Sequence, residues 1–108
     1  MKKRATAVIF KDDCVLLVLD KEHNRYSLPG GGIRKHEPVL SACVREIHEE
    51  LGIEVVKIHR IPESDFTGSI NKHHSCLVEY EGEPELKDGE LSDFIWWNCK
   101  DIIPRYRH

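Results

Sequence analysis

The strongest constraint on this chain lies between Gly31 and Ile53, where a glycine run, Gly30-Gly31-Gly32, leads into an acidic helical stretch. That stretch reads Arg45-Glu46-Ile47-His48-Glu49-Glu50-Leu51-Gly52. An α-helix turns about 100° per residue, so Glu46, Glu49 and Glu50, at i, i+3 and i+4, share one face. Leu40, Val44, Ile47 and Leu51 recur at i, i+4, i+7 and i+11 and form a separate apolar stripe for a core. Like charges at i, i+4 destabilise a helix by about 0.2–0.5 kcal/mol per pair, so the crowding calls for compensation. A hard divalent cation supplies it: Mg²⁺ takes oxygen ligands and is commonly held by one or two carboxylates together with substrate phosphates. Ala42, one turn before Glu46, leaves room on the acidic side. Arg45, four residues before Glu49, is placed to pair with that carboxylate. An isolated E-x-x-E-E reads as a solvated helix face; the glycine run ahead of it points instead to a ligand site.

With 108 residues the chain is expected to form a single domain, 1–108. Its composition, 40% hydrophobic and 32% charged, is that of a globular protein. The formal net charge of −3 comes with no basic stripe, which argues against a nucleic-acid polymer as partner. A small phosphorylated ligand stays compatible, because a bound cation inverts the local field. Cys14, Cys43, Cys76 and Cys99 contain no C-x-x-C pair, so a zinc site is not expected, and free thiols suit a cytoplasmic protein. No apolar span of membrane length and no secretory leader are seen, so no membrane partner is expected. His73-His74 is an adjacent pair in a strand-like segment, where neighbours point to opposite faces, and no H-x-x-x-H spacing supports a histidine metal centre.

Taken in order, Ala5 to Phe10 and Val15 to Leu19 read as strands joined at Lys11-Asp12-Asp13. Asp20 to Arg25 reads as a loop and Tyr26 to Leu28 as a short strand that stops at Pro29. The glycines then form a loop in which backbone approaches a ligand closely. A helix is expected over about 38–51, opened by Pro38 and ended by Gly52. Strands follow at Ile53 to Ile61, His74 to Tyr80 and Phe94 to Trp97, with a loop over Pro62 to Asn71 and a helical turn at Asp101 to Pro104. One helix among some six strands gives an α+β domain with a mixed sheet.

Gly31, Glu37, Arg45, Glu46, Ile47, Glu49, Glu50, Gly52 and Ile53 match every fixed position of the Nudix box, G-x5-E-x7-R-E-U-x-E-E-x-G-U, with U aliphatic. Leu28-Pro29-Gly30-Gly31 is similar to the usual lead-in of that family. The resemblance implies an α/β/α sandwich around the mixed sheet. It also implies hydrolysis of a nucleoside diphosphate linked to another group, with Mg²⁺ or Mn²⁺. By resemblance, Glu46, Glu49 and Glu50 hold metal, Arg45 orients Glu49, and Glu37 supports the site from behind or binds metal through a water. Gly31 and Gly32 belong to the substrate-facing loop before the helix. Glu90 stands near a place where some members carry a further metal-binding or base glutamate; Glu83, Glu85, Asp88 and Asp93 are alternatives in the same acidic stretch. Cations on the diphosphate offset the charge that builds in the transition state, while a carboxylate takes a proton from the attacking water.

Two departures stand out. His36 occupies a position where the family often has glycine. The chain also stops at His108, so the family's usual C-terminal helix is expected to be missing or its counterpart supplied from elsewhere, which would favour dimerisation or lower stability; a monomer or a homodimer is expected. Downstream of the box, Gly68-Ser69-Ile70 stands where ADP-ribose hydrolases usually have proline, and the tyrosine of diadenosine-polyphosphate hydrolases is absent. A nucleoside triphosphate, cleaved to monophosphate and pyrophosphate, is therefore the default substrate, with ADP-ribose or a nucleotide sugar as the alternative. A non-catalytic nucleotide-sensing module is the alternative from another class. Tyr26, Phe66, Phe94 and the Trp96-Trp97 pair are candidates for stacking a base, with Tyr26 assigned to the substrate.

Overall fold

A computed structural model of the chain describes residues 1–87 and 89–101. Asp88, the helical turn expected to run on from Asp101, and any final helix lie outside the described residues. The first hairpin forms as the apolar pattern predicts, from Lys2–Lys11 (β1) and Cys14–Asp20 (β2). Asp12 turns it at φ 55°, a left-handed conformation that Asp tolerates because its short side chain bonds locally. The remaining elements are Arg25–Ser27 (β3), Gly30–Gly32 (β4), Val39–Leu51 (α1), Glu54–Arg60 (β5), Phe66–Thr67 (β6), Asn71–Glu81 (β7) and Leu91–Asn98 (β8), with a 3₁₀ turn at Pro62–Ser64.

The glycine run is therefore a strand and not a loop. Three glycines lack any intrinsic strand preference, but β1 offers a free antiparallel edge and takes them up in the register Arg4↔Gly32, Ala5↔Gly31, Thr6↔Gly30. Pairing with a neighbour overrides local propensity, as is usual for strands. Gly30 is nevertheless obligatory: its φ is 143°, and a Cβ there would run into the carbonyl of Ala5.

β1 is the central strand. It pairs in parallel with β7 from Lys2↔Asn71 to Ile9↔Val78, and antiparallel with β4 on its other edge. β5 and β6 pair antiparallel with β7. β2 is flanked by β3 and β8, both antiparallel. Between β1 and β2 the pairing is confined to Phe10↔Val15 and Lys11↔Cys14, beside the hairpin turn. Beyond that point the two strand groups part: farther on, β4 takes the facing edge of β1 over Arg4–Thr6 and β3 that of β2 over Val18–Asp20. The whole is a mixed sheet with α1 packed on β1, β4 and β5, the α+β arrangement expected.

The main core lies between α1 and the sheet: Ala5, Ala7, Ile9, Leu16, Val18, Cys43, Ile47, Leu51, Ile53, Cys76 and Val78. Burying such side chains stabilises the fold by about 25 cal/mol per Å² of apolar surface. A smaller cluster on the opposite face joins Val15, Leu17, Leu19 and Tyr26, with Trp97 against it, while Trp96 packs on the main core. The two tryptophans thus face opposite ways, as strand alternation requires. The helix starts after Pro38, whose φ of −63° and ψ of 147° are extended, and ends at Gly52 in the left-handed region, its N–H donating to His48 O at 3.0 Å. One detail departs from the expected stripe: Val44 is exposed, and the buried positions are Ala42, Cys43, Ile47, Glu50 and Leu51. Small Ala42 and Cys43 let the helix roll toward the sheet, which carries Glu50 inside and puts Val44 at the rim.

Candidate active site

Roll of the helix and pairing of the glycine strand together build one wall of a cleft. Gly30, Gly31 and Gly32 line it beside Glu46 and Glu50. Its other walls come from Arg4 and Thr6 of β1, Val18 and Asp20 of β2, Arg25 and Ser27 of β3, and the turn between β6 and β7. The volume is about 680 Å³, within the ordinary range for a small-molecule site. The cleft occupies the gap where β1 and β2 part.

Gly31 and Glu46 fit each other: a Cβ on Gly31 would overlap the Glu46 carboxylate. The Glu46 Oε1 accepts from Arg45 Nη1 at 2.6 Å. Glu50 is almost wholly buried, and its Oε1 accepts from the Gly30 N–H at 3.3 Å. The glycine strand therefore bonds one box glutamate, Glu50, and leaves room for another, Glu46. Glu49 is the third; its side chain is 48% exposed and it does not line the cleft.

Arg45 does not chiefly serve Glu49, which lies 3.5 Å from Nη1. Its guanidinium is taken by Glu37 in a two-pronged pair, Nε to Oε2 at 2.9 Å and Nη2 to Oε1 at 2.8 Å. Nη2 also donates to Gly32 O at 3.0 Å. Planar guanidinium matches planar carboxylate, so this pair outcompetes the single contact that helical spacing offers. Glu37 thereby ties the connector before α1 to the helix and to the glycine strand. The Arg45 hydrogen bonds, helped by the Arg34 amide, hold the Glu37 carboxyl down at about 2. The same contact raises Arg45 above its ordinary value. His36, just before, sits at φ 64°, which explains why a glycine is at home there.

Glu90 lines the cleft on the side facing β2, and its carbonyl accepts from the Lys21 N–H at 3.0 Å. Tyr26 does not line it. The register Leu19↔Tyr26 puts its ring in the smaller cluster on the far face, where its hydroxyl donates to Asp93 at 2.6 Å. Its neighbour Ser27 faces the cleft instead, so the assignment of Tyr26 to the substrate is corrected by strand alternation. Phe94 and Trp96 pack on the main core, and Phe66 alone of the aromatic candidates lines the cleft. Arg4, Thr6, Arg25 and His73 also line it and carry no local motif. The i, i+2 spacing of Arg4 and Thr6 in a strand was the one available signal.

A divalent cation fits the donor set: Glu46 and Glu50 offer carboxylate oxygens to one cleft, and the missing Gly31 side chain leaves their space open. Among the described residues, the group whose ligand atoms lie within 4.8 Å of one another is Asp20, Glu22 and His23, at the cleft's outer rim. Much of that proximity comes from a local turn, in which the Asp20 carboxylate accepts from the Glu22 and His23 amides.

The comparisons with known proteins define the chain as a hydrolase of phosphoric anhydrides. The NUDIX domain model matches residues 1–108, and the chain belongs to that family. Diphosphoinositol polyphosphate phosphohydrolase 3-alpha of Mus musculus is 40% identical over 94% of this chain and 67% of its own length. A nudix hydrolase family member from Chromobacterium violaceum superposes with a TM-score of 0.79 at 29% identity, over 94% of this chain and 66% of that one. The MutT NUDIX hydrolase from Burkholderia pseudomallei gives 0.78 at 25% identity, over 99% and 90%. The chain thus spans about two thirds of the length of the first two relatives.

Proposed function

We propose that the chain is a Mg²⁺- or Mn²⁺-dependent pyrophosphohydrolase that cleaves the diphosphate linkage of a nucleoside diphosphate derivative, with nucleoside triphosphates as the first substrates to examine. The observation that carries this reading is the seating of Glu46 and Glu50 on one cleft wall by the glycine strand, inside an intact box register. By resemblance Glu46, Glu49 and Glu50 would hold the cation, Glu46 and Glu50 from the cleft wall and Glu49 once its exposed side chain turns toward them; the cation would supply charge neutralisation at the diphosphate and acidify a water. Arg45 keeps Glu46 in place and is itself held by Glu37. Glu90, which lines the same cleft, is our candidate to accept the proton of the attacking water. Free cysteines and the lack of a membrane-length apolar helix among the described residues suit a cytoplasmic enzyme, monomeric or homodimeric.

A second reading, an inositol polyphosphate bearing a diphosphate, is favoured by the name of the 40%-identical relative and by Arg4 and Arg25 in the cleft, which suit a dense array of phosphates. The test is phosphate or pyrophosphate release from nucleoside triphosphates, ADP-ribose, nucleotide sugars and a diphosphoinositol polyphosphate, each with Mg²⁺ and with EDTA. Turnover should require the cation. Glu50→Gln should lower kcat at least about a hundredfold with the fold intact by circular dichroism, since it removes one ligand charge. Near-normal turnover by that variant would sink the assignment.

A further inference from the structure

We propose that Asp65, gripped between Arg60 and Ser75, is a positioning residue that sets the cleft wall carried by β6 and the turn after it. The proposal rests on the hydrolase reading above and concerns how that site holds its substrate. Its origin lies in the strand ladder. One edge of β7 is taken by β1. Along the other edge β5 runs as far as Arg60↔Cys76, and β6 takes over at Phe66↔His73. Between the two, residues 61–65 arch away through the 3₁₀ turn at Pro62–Ser64. Ser75 faces this arch with no strand opposite it, although it is only 1% exposed. Its backbone N–H and C=O therefore need partners from elsewhere.

Side chains of the arch and its flank supply them. The Ser75 N–H donates to Asp65 Oδ1 at 2.7 Å. The Ser75 carbonyl accepts from the Ile61 N–H at 3.0 Å and from Arg60 Nη1 at 2.6 Å. Arg60 closes the ring on Asp65 in a two-pronged pair, Nη1 to Oδ1 at 2.9 Å and Nη2 to Oδ2 at 2.7 Å. The Ser75 hydroxyl donates to Ser64 O at 2.9 Å and pins the turn from its other side. His74 Nδ1 stands 3.5 Å from Asp65 Oδ2. The Arg60 hydrogen bonds, outweighing the cost of burial, hold the Asp65 carboxyl well below the usual carboxylate range, so the clamp stays ionised at neutral pH.

The clamp lies next to the cleft and outside it. Phe66, Ser69, Ile70 and Asn71 line the cleft, whereas Arg60, Asp65 and Ser75 do not. Asp65 is joined to Phe66 by one peptide bond, so the end of the arch is also the start of the wall. β6 pairs with β7 through Phe66↔His73 and Thr67↔Lys72, and the Gly68 N–H closes the turn on Asn71 O at 2.8 Å. So short a strand has few bonds of its own, and its place depends on what anchors its start. Removing the Asp65 carboxylate leaves the Ser75 N–H without its acceptor and Arg60 without its counter-charge, which frees the arch. Glu46 and Glu50 stand on α1, against the glycine strand, and keep their contacts. Substrate contacts made by the wall weaken, while the reacting groups stay in place.

The experiment compares Asp65→Ala and Asp65→Asn with the parent chain on ATP, or on whichever of ADP-ribose, a nucleotide sugar and a diphosphoinositol polyphosphate the parent cleaves. Tyr26→Phe, which loses a hydrogen bond away from the cleft, is the control for lowered stability alone. Asp65→Ala should raise KM by about tenfold, with kcat within about twofold of the parent, because uniform binding is lost and the reacting geometry is kept. Asp65→Asn still offers an acceptor to the Ser75 N–H and should show a smaller rise; it carries the comparison alone if the alanine variant does not fold. Tyr26→Phe should leave KM unchanged. An unchanged KM in a folded Asp65 variant, a fall in kcat without a rise in KM, or an equal KM rise in Tyr26→Phe would overturn the proposal. If the parent cleaves no anhydride, the hydrolase reading fails separately, and amide hydrogen exchange of Asp65→Asn still decides the clamp. Faster exchange confined to residues 61–71 would support it; exchange that is unchanged there, or quickened equally in α1, would overturn it.

Discussion

Replacing Gly31 by alanine tests the seating of Glu46 directly. The added Cβ would overlap the carboxylate, and Glu46 Cγ would be only 2.8 Å away. The clash is with the end of a side chain and not with backbone, so β4 can keep its register while Glu46 swings away. What is lost is the bond from Arg45 Nη1, a charged hydrogen bond worth about 1.5–3 kcal/mol. Both side chains are 18% exposed, and Arg45 keeps Glu37, so the low end, about 1.5 kcal/mol, applies. For a domain of this size that lowers Tm by roughly 6–12 °C. Activity should suffer more than stability, because displacing a ligand-bearing group by about 1 Å can cost a hundredfold in rate. Gly32→Ala is the control: nothing lies within 4 Å of its Cβ position. It should leave Tm unchanged or slightly raised, through a less flexible unfolded chain. Thermal unfolding and pyrophosphate release on the two variants decide the matter. Equal activities for Gly31→Ala and Gly32→Ala would refute the reasoning.

Three other outcomes follow from contacts described above. Tyr26→Phe removes the hydroxyl bonded to Asp93 and should destabilise by about 1.5 kcal/mol in denaturant titration while KM stays unchanged, because the ring faces away from the cleft. His36→Gly relieves a left-handed side-chain conformation and should raise Tm or leave it level; a clear fall would show that the imidazole makes a contact worth more than the strain. The Glu37 carboxyl is depressed from 4.5 to about 2, so its contribution is fully present above 4.5 and is lost as the pH falls through about 2. Acid unfolding of Glu37→Gln should accordingly show a shallower pH dependence between those values than the parent chain does.

The helix and its glutamates were legible because box spacing, proline start and glycine stop are local signals, and each acts within a few residues. The hairpin of β1 and β2 was legible for the same reason. The role of the glycine run was not, because its strand state depends on an edge of β1 that lies far away in sequence. The parallel pairing of β1 with β7 is equally nonlocal, and it is what brings His73 beside Arg4. Tyr26 was misplaced because its face depends on the register with Leu19, and a slip of one residue reverses every side chain. Helical spacing finds the Arg45–Glu49 contact, which forms at 3.5 Å, but not the closer pair with Glu37, which reaches Arg45 from a connector whose path no period reveals. Phe66 could be named as a candidate from composition alone, but its selection over four other aromatic residues needed the two sheet faces to be told apart.

The parting of β1 from β2 has a consequence for how such a site can change. Away from their hairpin, β4 takes the facing edge of β1 over Arg4–Thr6 and β3 takes that of β2 over Val18–Asp20, so there neither strand has an edge left for the other. The opening is a property of strand order, which no single substitution rewrites. Side chains along its walls, Arg4, Arg25 and Phe66 among them, can be exchanged without closing it. In the proposed reading, the reacting groups are anchored beside three glycines, and the choice of substrate falls to replaceable residues around them. The fold thereby separates what must stay constant from what is free to diversify.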